Sequence, residues 1–83
     1  QKAIPQVVVI TGASAGVGRA TVREFAKKGF HIGLIARGEE GLKAALKEVE
    51  NLGSRGFIAR ADVSDAEQVE RAAEEIENAL GPI

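Results

Sequence analysis

The chain has no cysteine and no tyrosine, and only one histidine among its 83 residues. Without cysteine there is no disulfide framework, no thiolate nucleophile and no sulfur-ligated metal site. His31 alone cannot build a histidine-rich zinc centre. Long apolar runs are missing too: residues 7–10 form the longest, far short of a membrane span. No basic excess exists, because 11 Lys and Arg face 12 Asp and Glu for a formal net charge of −1. A nucleic-acid-binding domain would concentrate positive charge, so neither nucleic acid nor membrane is expected as a partner. Gln1-Lys2 is followed by almost nothing apolar before Pro5, so no secretory leader is expected either. A reducing, cytoplasmic setting is the expectation.

What is present suits one small soluble domain. Hydrophobic residues make up 45% and charged ones 28%, a balance that supports a core rather than disorder. A domain of this length buries only about 60–65% of the surface its unfolded chain exposes, so its stability should be marginal.

Three short apolar runs alternate with three amphipathic stretches. Residues 6–11 are rich in β-branched side chains and apolar on both faces, as in a strand covered on both sides of a parallel sheet. Residues 30–36 and 56–61 read as two further strands. Between and after them the spacing becomes helical. Val22, Phe25 and Ala26 make one stripe; Leu42, Ala45, Leu46 and Val49 a second; Val69, Ala72, Ala73, Ile76 and Leu80 a third. Gly29, Gly53 and Gly81 stand where left-handed helix caps are expected. Ser64 with Glu67 fits a capping box opening the third helix.

The expected fold is therefore α/β, a Rossmann-type doubly wound parallel sheet cut to β-α-β-α-β-α. If the strands step outward in chain order, the first two helices share one face and the third covers the other. The chain stops where a fourth strand would begin. Residues 1–83 are thus expected to form the N-terminal half of a dinucleotide-binding domain. The first strand, left as an edge with unpaired backbone groups, would favour self-association.

The segment carrying chemistry is Thr11-Gly12-Ala13-Ser14-Ala15-Gly16-Val17-Gly18, between a strand and a helix. Gly12 allows a tight turn out of the strand. Gly16 allows close backbone approach to a pyrophosphate, and Gly18 close packing of helix on sheet. Anion binding would come from the unpaired N–H groups and positive dipole end of the helix. The spacing is G-x-x-x-G-x-G, and no Gly-Lys-Ser/Thr follows as a Walker loop requires.

TGASAGVG resembles the T-G-x-x-x-G-x-G signature of short-chain dehydrogenases/reductases, and the likeness continues through residues 34–37 and Asp62-Val63. The resemblance spans essentially the whole chain but only the first third or so of such an enzyme. It implies that Gly12, Ser14, Ala15, Gly16, Val17 and Gly18 line the pyrophosphate and adenosine-ribose side of a nicotinamide dinucleotide. Asp62 would accept a hydrogen bond from the adenine amino group, with the Val63 backbone against the ring. Asp62 and Ser14 also read as ordinary turn residues.

Arg37 bears on the cofactor. It lies about twenty residues past the glycine loop, where NAD sites place a carboxylate on the ribose 2′-hydroxyl. A guanidinium there can grip a 2′-phosphate with two charge-assisted hydrogen bonds, favouring NADP over NAD. The competing reading is a solvated surface charge. Glu39 and Glu40 suit the dipole of the next helix. Arg19 could add to phosphate binding or be an exposed charge, and His31, early in its strand, reads as structural.

The resemblance also implies what is missing. Hydride transfer in that family uses a Tyr-x-x-x-Lys pair, a serine and an asparagine beyond a fourth strand. This chain holds no tyrosine, and Asn51 and Asn78 fall on expected helices. With no general acid to protonate a carbonyl oxygen, the chain alone is expected to be inactive. The readings left open are the NADP(H)-binding segment of a reductase and a non-catalytic nucleotide-binding or sensor module. A purely structural α/β fragment that binds nothing is the third.

Overall fold

The structure, a computed structural model, describes residues 5–13 and 16–83. Six elements follow in strict alternation: β1 (Val7–Thr11), α1 (Gly16–Lys27), β2 (His31–Ala36), α2 (Glu39–Asn51), β3 (Gly56–Arg60) and α3 (Ala66–Leu80). The strands are parallel in the order β1-β2-β3, with Val7 opposite His31 and Ile32 opposite Gly56. This is the Rossmann-type α/β arrangement expected, with strand ends within a residue of the expected ones.

Helices cover both faces, in the expected division. Ile10, Ile32, Leu34 and Ala36 meet Val22 and Ala26 of α1 and Leu42, Ala45 and Val49 of α2 in one buried cluster. Ile35, Ala59 and Ala61 meet Ala72 and Ile76 of α3 in the other. Strand alternation explains the split, since neighbouring side chains leave a strand on opposite sides. β2 is the hydrophobic centre: everything from Ile32 to Ala36 is buried. β1 and β3 are the sheet edges and are half-buried along most of their length.

Gly33 has a purpose the sequence did not declare. A Cβ there would come within 2.6 Å of Ile76 Cδ1 and Cγ2. The missing side chain lets α3 seat its largest core residue directly on the central strand.

Two details of the helix ends differ from expectation. Asp65, rather than Ser64, caps α3: its side chain accepts from the backbone N–H groups of Glu67 (3.0 Å) and Gln68 (3.3 Å). Ser64 instead turns back to Asp62. Gly29 and Gly53 have the expected positive φ, at 88° and 84°. Gly81 has φ 106° and ψ −177°, outside the left-handed helical region, and closes α3 by donating to the Glu77 carbonyl at 2.9 Å. Among the described residues no helix is long and apolar enough to cross a membrane.

Candidate functional site

The three strands run parallel, so their C-terminal ends form a single rim. Three turns stand on it: the glycine turn after β1, the Arg37-Gly38 turn after β2, and Asp62-Val63 after β3. Ligands of open α/β sheets bind at this rim.

The glycine turn owes its shape to backbone freedom and close contact. Gly12 has φ 65° and Gly16 has φ 47°, values that residues with a Cβ seldom adopt. Between them Ala13 dives into the α1/α2 core, fully buried, and its N–H donates to the Ile35 carbonyl at 3.3 Å. That bond ties the turn to the end of β2. Gly18 lies against the turn itself. A Cβ on it would overlap the Gly12 carbonyl oxygen and stand 2.8 Å from the carbonyl carbon. The glycine thus brings the first turn of α1 onto the β1–α1 turn as well as onto the sheet.

Gly16, Val17 and Gly18 open α1, whose first N–H groups have no intrahelical acceptor. Val17 is 84% exposed, an apolar side chain standing on the rim. Ser14 and Ala15, both expected in this loop, lie outside the described residues. Arg19 has a partner elsewhere: its Nε donates to Glu48 Oε1 of α2 at 2.7 Å, and Arg23 reaches the other carboxylate oxygen at 3.4 Å. Both arginines hold the Glu48 carboxyl below its ordinary range, chiefly through the Arg19 hydrogen bond. Arg19 therefore joins α1 to α2.

On the other side of the rim, Arg37, Gly38, Arg60, Ala61, Asp62 and Gln68 line an open cavity of about 580 Å³. Arg37 and Asp62, both expected to contact a cofactor, line the same cavity. Asp62 begins a small hydrogen-bonded turn. Its Oδ1 accepts from the Ser64 hydroxyl at 2.7 Å and from the Ser64 N–H at 3.0 Å. These bonds, with the positive charge of Arg37, keep the carboxyl ionised below its usual range. Asp62 is therefore a turn residue, and its Oδ2 still has no hydrogen bond among the described residues. The Asp62 N–H donates to Gln68 Oε1 at 2.9 Å, and Gln68 Nε2 reaches Asp65 Oδ2 at 3.2 Å. Val63 beside it is 55% exposed.

Arg60 and Gln68 were not singled out from sequence. Arg60 ends β3 in register with Ala36, which puts it next to Arg37 at the rim. Its Nε donates to the Arg37 carbonyl at 3.3 Å. Gln68 belongs to the first turn of α3, and only the loop between β3 and α3 brings it back over Asp62. His31, the first residue of β2, lies at the opposite end of its strand from this rim.

Comparison with known proteins agrees with the geometry. The profile of the family described as short chain dehydrogenase matches residues 6–83. The chain is 45% identical over 69 residues to the uncharacterized oxidoreductase YxnA of Bacillus subtilis (strain 168), covering 83% of this chain and 19% of that protein. It is 40% identical over 77 residues to 11-beta-hydroxysteroid dehydrogenase A of Sesamum indicum, covering 92% and 22% respectively. The chain thus spans about a fifth of the length of these curated relatives. Among solved structures, alcohol dehydrogenase from the archaeon Thermococcus sibiricus, complexed with 5-hydroxy-NADP, superposes with a TM-score of 0.88 at 35% identity. That likeness covers 94% of this chain and 34% of the other. L-sorbose reductase from Gluconobacter frateurii, complexed with NADPH and L-sorbose, gives 0.86 at 37% identity over 93% of this chain and 30% of that one. Sequence motif, strand order and the three-turn rim converge: the chain belongs to the short chain dehydrogenase family.

Proposed function

We propose that this chain forms the adenosine-binding half of a dinucleotide-binding Rossmann domain and prefers NADP to NAD. The observation that carries the reading is the position of Arg37, in one cavity with Asp62 at the C-terminal rim of the sheet. A guanidinium there attracts a 2′-phosphate, whereas a carboxylate would favour the bare ribose hydroxyl. NADP or its derivatives in the related alcohol dehydrogenase and L-sorbose reductase support the same reading.

Each site residue has a role in it. Gly12, Ser14, Ala15, Gly16, Val17 and Gly18 receive the pyrophosphate and its ribose, with α1 supplying N–H groups and a positive dipole end. Arg37 takes the 2′-phosphate. The free oxygen of Asp62 accepts from the adenine amino group, and the Val63 backbone lies against the ring. When bound, the nicotinamide would supply hydride chemistry. This chain holds no tyrosine to act as its proton donor, so its own contribution is binding and orientation. The relatives' greater length supports assigning the catalytic half to sequence outside these residues. Pairing through the outer edge of β1, with a second copy of this chain, belongs to the same reading. Sedimentation of a strict monomer at high concentration would contradict that part.

Calorimetric titration with 2′,5′-ADP and with 5′-AMP tests the cofactor assignment, because both ligands need only this half-site. Tighter binding of 2′,5′-ADP, lost in Arg37→Asp, is expected. Equal binding of the two ligands would overturn the preference for NADP.

A further inference from the structure

The 2′-phosphate reading assigns one arginine, yet the cavity has two. Arg60 lines it with Arg37, though it arrives from a different strand. Among the described residues its guanidinium makes one hydrogen bond, from Nε to the Arg37 carbonyl. Its Nη1 makes a long contact of 3.9 Å with Glu39 Oε1, and the side chain stays 64% exposed. Lys43 faces the same glutamate from the next turn of α2, at 3.7 Å.

This arrangement answers an electrostatic difficulty. Glu39 stands two residues from Arg37, close enough to repel a phosphate arriving there. Around the cavity and the start of α2, three cations (Arg37, Lys43 and Arg60) face three carboxylates (Glu39, Glu40 and Asp62). Removing Arg60 would leave three carboxylates against two cations and, among the described residues, Glu39 paired with Lys43 alone. It would also free the carbonyl of the turn that carries Arg37.

We propose that Arg60 is a second specificity-determining residue for the 2′-phosphate, a cation held beside Arg37 that offsets Glu39 and steadies the Arg37 turn. The inference rests on the NADP reading of this site. It assigns discrimination between phosphorylated and plain adenosine to a pair of arginines on adjacent strands.

The test is calorimetry of the full chain with 2′,5′-ADP and 5′-AMP, in the parent and in Arg37→Gln, Arg60→Gln, Arg60→Lys and Glu39→Gln. Arg60→Gln should weaken 2′,5′-ADP about fivefold, as expected for one exposed ionic contact, and leave 5′-AMP unchanged. Arg60→Lys should recover part of the loss by restoring charge, and Glu39→Gln should tighten 2′,5′-ADP. Equal weakening of both ligands in Arg60→Gln would show a structural role and overturn the proposal. If Arg37→Gln loses the preference while Arg60→Gln keeps it in full, the second arginine is overturned and the NADP reading stands. A parent chain with no preference, or no binding, would overturn both.

Discussion

Under the proposed reading, the two sides of the rim would recognise a nucleotide by different means. The glycine turn has no charged side chain among its described residues. It is shaped by positive-φ backbone at Gly12 and Gly16 and by the tight seat of Gly18 on Gly12. The β2/β3 side is built from charged and polar side chains, Arg37, Arg60, Asp62 and Gln68, around an open cavity. Shape governs the first region and charge the second. The first should therefore set whether any adenine nucleotide binds, and the second which one.

Substitutions can break that division of labour. The largest effect is expected at Gly18, where even a methyl group overlaps the Gly12 carbonyl. Gly18→Ala should abolish binding of 5′-AMP and 2′,5′-ADP alike and cost roughly 1–3 kcal/mol of stability. Calorimetry with a urea melt followed by circular dichroism checks both. Arg37→Asp should instead weaken 2′,5′-ADP about tenfold to a hundredfold, the range of a hydrogen bond to a charged group, with 5′-AMP little changed. Loss of both ligands there would erase the distinction between the two regions.

A glycine away from the rim sharpens the comparison. Gly33→Ala should press on Ile76 and destabilise the fold by about 1–3 kcal/mol. The folded fraction should nevertheless keep its ratio of affinities for the two nucleotides. A changed ratio would mean that the sheet interior and the rim are coupled.

The smallest effect belongs to Glu48. Its carboxyl titrates below the ordinary value of 4.5 in the folded chain, because Arg19 and Arg23 favour the charged form. The stabilisation is therefore complete above that ordinary value and disappears as the pH falls through the lowered folded value. Glu48→Gln should cost at most about 1 kcal/mol at neutral pH, since the pair is part-exposed. Urea melts of parent and variant should converge on acidification. A gap that widens in acid would contradict this assignment.

The two regions also differ in how far sequence alone could reveal them. The alternation of strands and helices, the face each helix covers and the glycine turn follow from periodicity and from where glycines fall. Arg37 could be found because it directly follows β2, about twenty residues past the glycine loop, and Asp62 through the resemblance carried by Asp62-Val63. Arg60 was harder to find, since its meaning depends on the register that sets β3 beside β2. Arg19 and Glu48 lie 29 residues apart, and no local pattern joins them. At the start of α3, Ser64 and Asp65 are both capping residues on adjacent positions. Asp62 decided between them, by engaging Ser64 and leaving Asp65 to the helix N–H groups. Gly33 carried a sequence signal, a glycine inside an apolar strand, but its partner Ile76 lies 43 positions away.

That the two regions make one site is tested most directly by amide chemical-shift mapping of the chain titrated with 2′,5′-ADP. The glycines at 12, 16 and 18 should shift together with Arg37, Arg60, Asp62 and Val63, all following one saturable curve. Shifts confined to the glycine turn, or two groups with separate affinities, would contradict a single adenosine-binding rim.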